Sequence, residues 1–338
     1  MRTSKFGKQL TQLASFFALA LLSCQGFAQN WDIDRIVTFG ASLSDTGNSF
    51  VWLSDPANSS CGTQLNVPPY DKLDDLLVPD GPYAKGGHHL TNGATWVEGV
   101  ARYLALAGNT RPAFRKGGKK ASNYAVGGAR AIAGFPCRFN FPAQVGRYLT
   151  DFGSTSDSTL VAIEIGGNDV RDALVIALTG GNPQQRIQDA LTSFGNSIFQ
   201  LYFSGARHLL VLNVPDIGKA PSVRAIDQTL GAGGAIIALA GDLADGYNDG
   251  LVATVALLEG SLPGIHIKIL DVHQTLDDVI TSPETYGFSN ATDACVTPNQ
   301  PPFKCAKPDE YVFWDGIHPT KAMHAIVAQQ AIARISAP

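Results

Sequence analysis

An α/β fold, with a central parallel sheet covered by helices on both faces, is predicted by three features of the 338-residue chain. Short apolar runs recur along it, and segments with helical periodicity lie between them. Its 45% of apolar residues, with a mean hydropathy near zero, describe a globular protein with ample core.

The elements follow in order. In residues 1–28, Arg2, Lys5 and Lys8 precede an apolar run over 13–22, and Gly26-Phe27-Ala28 offers small residues at a peptidase site, so this stretch reads as a secretory signal. It is too short for a membrane span. The mature chain, 29–338, is expected to form one domain, secreted or periplasmic; cleavage before Cys24 in Leu21-Leu22-Ser23-Cys24, with a lipid anchor on that cysteine, is the alternative. Residues 36–39, 160–165, 209–214 and 265–270 read as buried strands, with 123–126 a shorter candidate. Helices are expected over 94–107, 184–202, 236–258 and 319–335, with Pro183 and Pro319 in first-turn positions. Residues 52–90 are rich in Pro, Gly and Asp without periodicity, and read as an insertion over the site. The 231–234 stretch, Gly-Ala-Gly-Gly, lacks the lysine of a phosphate loop and reads as a flexible helix entry.

In such folds ligands bind at the carboxyl ends of the strands, and the chemistry-bearing residues fall there. Gly40-Ala41-Ser42-Leu43 follows the first strand and leads into Ser44-Asp45-Thr46, residue types that start helices. Free backbone N–H groups gather at such a turn and can hold an oxyanion. A serine needs a base, and the base a third group. Near the other end, Asp315-Gly316-Ile317-His318-Pro319 offers both, in a tight turn that sets a carboxylate and an imidazole on one side.

At these residues the chain resembles the GDSL, or SGNH, family of serine esterases and lipases. Four blocks carry the resemblance, in the family's order: Gly40 to Leu43; Asn123-Tyr124-Ala125-Val126-Gly127-Gly128-Ala129; Gly166-Gly167-Asn168-Asp169; and Asp315 to Pro319. Thr91-Asn92-Gly93-Ala94-Thr95-Trp96-Val97-Glu98 is similar to a further segment of the larger, lipase-like members. The resemblance implies a three-layer α/β/α sandwich of flavodoxin-like type. It also implies a Ser42, His318, Asp315 triad and an oxyanion hole of Ser42 N–H, Gly128 N–H and the Asn168 amide, with Gly127 the alternative donor. One residue departs from the pattern: where the family has aspartate before its nucleophile, this chain has Ala41.

The function so implied is a secreted carboxylic-ester hydrolase working through an acyl-enzyme, on a small-molecule, lipid or glycan ester. An acyltransferase with the same intermediate is the enzymatic alternative, and Ala41 motivates a weakly active or binding protein on the same fold. A Gly-x-Ser-x-Gly elbow is excluded because Ser44 stands where glycine is required. No His-Glu-x-x-His motif is present, and His88-His89 reads as a solvated loop pair without a third ligand, so neither metal nor cofactor is expected. Without residues 1–28 the chain has 22 basic and 29 acidic residues, a formal charge of −7, which argues against nucleic acid. Cys61, Cys137, Cys295 and Cys305 remain, an even number suited to two disulfides. Cys295 and Cys305 flank a proline-rich loop and make one candidate pair, which leaves Cys61 with Cys137; other connectivities stay open.

Overall fold

The structure, a computed structural model, describes residues 31–54, 89–115, 121–134, 139–296 and 305–337. Four parallel strands form the main sheet in the order β1 (Arg35–Gly40), β2 (Thr159–Glu164), β3 (His208–Leu212) and β4 (His266–Leu270). Register pairs Ile36 with Leu160, Leu160 with His208, and His208 with His266. Successive side chains enter different cores. Val37, Phe39, Val161, Ile163, Leu209 and Val211 face one, while Ile36, Leu160, Ala162, Leu210 and Leu212 face the other. With both faces of each strand buried, the sequence reads as an unbroken apolar run instead of an alternating one.

The first core is closed by α3 (Phe141–Phe152), α4 (Gly167–Leu178), α5 (Pro183–Phe203), α6 (Pro221–Thr229) and α7 (Ala235–Ser261). The second is closed by α2 (Trp96–Tyr103), α8 (Val272–Thr281) and α9 (Lys321–Ser336). A short helix α1 (Asn48–Ser54) follows the first strand, and a two-stranded parallel sheet of β5 (Asn290–Ala294) and β6 (Tyr311–Phe313) lies against the second core. This is the expected three-layer α/β/α arrangement. Among the described residues, no helix is long and apolar enough to cross a membrane.

Two expectations change in detail and a third is met. Residues 123–126 form no regular strand, although they run beside β1 through Tyr124 N–H to Thr38 O (2.7 Å) and Val126 N–H to Gly40 O (3.0 Å). Regular pairing stops because Gly40 N–H, which would donate to Tyr124 O in a continued parallel ladder, donates to Gln144 Oε1 instead (2.9 Å). Pro183 is a first-turn proline, but Pro319 lies outside α9, whose N-cap is Thr320; Pro319 bridges Phe313 instead. The 231–234 glycines do lead into α7, and the Asp227 carboxylate accepts from Gly234 and Ile236 N–H there.

The 122–126 segment precedes β2 in sequence yet lies on the opposite side of β1. The chain therefore leaves β1 first to one side and then to the other, and the crevice at its carboxyl end is a topological switch point. Gly40 closes β1 at that point with φ of 154° and the Glu164 carbonyl oxygen 2.3 Å from where a Cβ would stand. Only glycine fits. Gln144 grips it from α3, Gly40 N–H donating to Oε1 and Nε2 donating to the Gly40 carbonyl, both at 2.9 Å. Gly40→Ala is therefore expected to destabilise the fold by about 1–3 kcal/mol, the cost of overpacking, in chemical denaturation.

Candidate active site

The turn after β1 is closed by Ser44 N–H donating to Ala41 O (3.2 Å), so Ser42 occupies its second position at the mouth of the crevice. Behind it, the buried carboxylate of Asp45 gathers the N–H groups of Gly47 (2.8 Å), Asn48 (2.7 Å) and Ser49 (3.1 Å) and the Ser49 hydroxyl, and so opens α1. Burial raises the Asp45 pKa, and these bonds oppose that shift. Asp45 also accepts from Gly127 N–H at 2.8 Å, which ties the first block to the second.

In the second block, Ala129 N–H donates to Val126 O (3.0 Å) and Gly128 has φ of 77°, the signature of a type II turn with glycine third. Gly127 N–H is consumed by Asp45 and by Ser49 Oγ (2.6 Å). Gly128 N–H donates to no protein group among the described residues, and neither does Ser42 N–H. Of the two candidate glycines, only Gly128 has its donor available. Arg130 fixes the same turn, giving Nη1 to the Gly128 carbonyl (2.7 Å) and a bidentate pair to Asp172 at 2.9 and 2.8 Å.

The third block opens α4. Asn168 donates Nδ2 to Ala129 O (2.9 Å), which docks its amide on the second block and leaves its other N–H for a ligand. Asp169 is buried and accepts from Ala131 N–H (2.7 Å); burial raises its pKa to about 6, against Arg186 beside it.

The fourth block is a small loop between β6 and α9, closed by Trp314 N–H to His318 O (2.8 Å) and Thr320 N–H to Val312 O (2.9 Å). Asp315 Oδ2 lies 2.7 Å from His318 Nδ1, while Oδ1 accepts from Ile317 N–H (2.8 Å) and His318 N–H (2.7 Å). Asp315 is fully buried and His318 is 2% exposed. The loop thus follows a strand of the minor sheet, not the last strand of the main one.

The Thr91–Glu98 segment joins the two ends of the chain. Thr91 Oγ1 donates to Pro319 O (2.7 Å), and Asn92 Oδ1 accepts from Lys321 N–H (2.7 Å). Trp96 donates its indole to Ser44 Oγ (2.9 Å) and its backbone N–H to His324 Nδ1 (3.3 Å), spanning the Ser42 turn and the helix after His318. Burial, with the neighbouring imidazoles of His318 and His89, lowers the His324 pKa to about 3, so it stays a neutral acceptor.

All five predicted residues therefore stand at the switch-point crevice or in the loop tied to it. Asp315 and His318 are directly paired. Asn168 reaches the Gly128 turn through Ala129, and that turn reaches the Ser42 turn through Asp45. Ser42 Oγ makes no hydrogen bond among the described residues, to His318 or otherwise.

Other expectations resolve around the site. Cys295 and Cys305 form a disulfide, Cα to Cα 5.2 Å, beside Trp314 and Leu90. Cys61, Cys137 and most of the 52–90 stretch lie outside the described residues, as does His88. His89 is not solvated: it is 1% exposed and its Nε2 lies 2.9 Å from Glu98 Oε2. One potential metal cluster, Asp216, His273 and Asp277, occurs among the described residues. The Lys219 ammonium lies 3.2 Å from Asp277 and 3.8 Å from Asp216 and supplies the balancing charge. Sequence reading missed Gln144, the Arg130–Asp172 clamp and Glu164; a lone acid inside an apolar strand was the available signal for the last.

Residues 36–331 match the family described as GDSL-like Lipase/Acylhydrolase. The chain is 26% identical over 89% of its length to the thermolabile hemolysin of Vibrio parahaemolyticus, of which it spans 63%. Two Arabidopsis thaliana proteins, both described as GDSL esterase/lipase, are 27% identical: At4g16230 over 87% of this chain and 85% of its own, and At2g23540 over 98% and 94%.

Proposed function

The chain belongs to the GDSL-like lipase/acylhydrolase family and is an ester-hydrolysing enzyme, and we propose that it works through a Ser42 acyl-enzyme with His318 as general base. His318 Nε2 takes the Ser42 proton as Oγ attacks the ester carbonyl. Asp315 holds the imidazole in the tautomer with Nδ1 protonated and stabilises its cationic form. The alcohol leaves with that proton, water attacks the acyl-enzyme with His318 as base again, and the acid is released. The Ser42 and Gly128 N–H groups and the second Asn168 N–H hold the oxyanion.

The observation that carries this reading is the 2.7 Å contact between buried Asp315 and His318 Nδ1, with the second carboxylate oxygen already filled by two backbone donors. That carboxylate is fixed in one pose, so the imidazole is too. Asn168→Ala is expected to slow turnover of a short nitrophenyl ester by about a hundredfold to a thousandfold, the usual cost of one oxyanion donor. An unchanged kcat in the folded variant would remove Asn168 from the hole.

The proposed substrates are soluble or carbohydrate-linked esters, a choice supported by the mixed composition of residues 52–90, which is not the uniformly apolar stretch of a lipid-facing mouth. A profile over acyl chain length, run beside acetylated and feruloylated glycans, tests it. Rates rising steeply with chain length would turn the assignment toward lipids. We also propose export, with residues 1–28 as the leader; the Cys295–Cys305 disulfide supports an oxidising compartment.

A further inference from the structure

Glu164 takes no part in the proton transfers above, yet its carboxyl lies against the nucleophile turn. It ends β2 and pairs in register with Gly40. Its backbone carbonyl accepts from Ala41 N–H (3.0 Å), and its side-chain Oε2 accepts from the same N–H at 3.3 Å and from Ser44 Oγ at 3.2 Å. Ser44 Oγ in turn accepts from the Trp96 indole. One carboxyl oxygen therefore touches both ends of the four-residue turn that presents Ser42.

The setting is costly for an acid. Glu164 is 8% exposed, Ser44 and Phe39 are fully buried, and residues 160–163 of the same strand are all apolar. Burial raises the Glu164 pKa to about 8, with the Ala41 and Ser44 bonds opposing it. A neutral carboxyl can still accept both bonds through Oε2. Ala41 has no polar side-chain atom with which to hold the turn from within. An apolar residue at 164 would fill the strand but would leave the Ser44 hydroxyl and the second contact of Ala41 N–H without an acceptor.

We propose that Glu164 is the positioning residue of the nucleophile turn: it holds Ala41 and Ser44 from the neighbouring strand and so sets the place of Ser42. This inference rests on Ser42 being the nucleophile. The loss of Glu164 should lower the reactivity of Ser42 while leaving ground-state substrate binding in place, because the hydroxyl and N–H of Ser42 that the turn carries act on the reacting carbonyl in the transition state.

The test is the rate at which a fluorophosphonate probe labels the full chain, mapped by peptide mass spectrometry, beside kcat and KM on a nitrophenyl ester. The wild-type enzyme should label at Ser42. Glu164→Ala should label Ser42 about tenfold to a hundredfold more slowly, with kcat reduced by the same factor and KM nearly unchanged, as for a small misplacement of a reacting group. Glu164→Gln, whose amide oxygen can accept the same two bonds, should recover most of the rate. If Glu164→Ala does not fold, Ser44→Ala carries the test, with labelling slowed by roughly fivefold for one lost hydrogen bond. Equal labelling of wild type and Glu164→Ala would overturn the proposal alone. So would Glu164→Gln as slow as Glu164→Ala, since the carboxyl would then act other than as an acceptor. Wild-type labelling at a residue other than Ser42 would overturn the nucleophile assignment and this proposal together.

Discussion

Ser42→Ala and His318→Ala are each expected to lower kcat on a nitrophenyl ester by about a millionfold, and the double variant to lose no more than either single one. The non-additivity is the informative part. A hydroxyl without its base is a weak nucleophile, and a base without its hydroxyl has no proton to take, so each change removes the same step. Neither variant should unfold. Ser42 lies half-buried at the crevice mouth with its hydroxyl unbonded among the described residues. The His318 backbone, which pairs with Trp314 and Asp315, is untouched by truncation of the side chain. Additive losses would mean that the two residues serve separate steps.

Asp315→Asn is expected to lower kcat by about ten-thousandfold with little change in fold. An asparagine Oδ1 can still accept from Ile317 and His318 N–H, so the loop keeps its shape. Its Nδ2, however, would place a donor against His318 Nδ1, where the carboxylate now accepts. The imidazole would then carry its proton on Nε2 and could not take one from Ser42. A kcat within tenfold of wild type would leave Asp315 a structural residue only. The two predictions separate: the first asks whether Ser42 and His318 share a step, and the second asks whether Asp315 sets the tautomer for it.

Much of the frame was legible from pattern. Each main strand is buried on both faces, so residues 36–39 and 160–163 stand out as apolar runs, and α5 and α7 are long enough for their period to show. Helix α4 escaped because its first turn is Gly167-Asn168-Asp169, whose composition signals a turn, and α6 because it is only nine residues long behind Pro221. The proposed site residues could be picked out because each lies within two residues of a glycine or proline that marks a turn. Their supports could not. Gln144, Trp96 and the Asp172 end of the Arg130 clamp act across long sequence separations, through contacts that no local spacing encodes. The choice between Gly127 and Gly128 likewise needed coordinates, because it turns on which N–H Asp45 and Ser49 have already taken.

The central claim is that the acyl group passes through Ser42, and the direct measurement is rapid acid quench of the enzyme turning over an activated ester, followed by mass spectrometry of its peptides. The account predicts an acyl adduct on the peptide bearing Ser42, formed in the burst phase and absent from His318→Ala. Continued turnover with no adduct, or an adduct on any other residue, would contradict it.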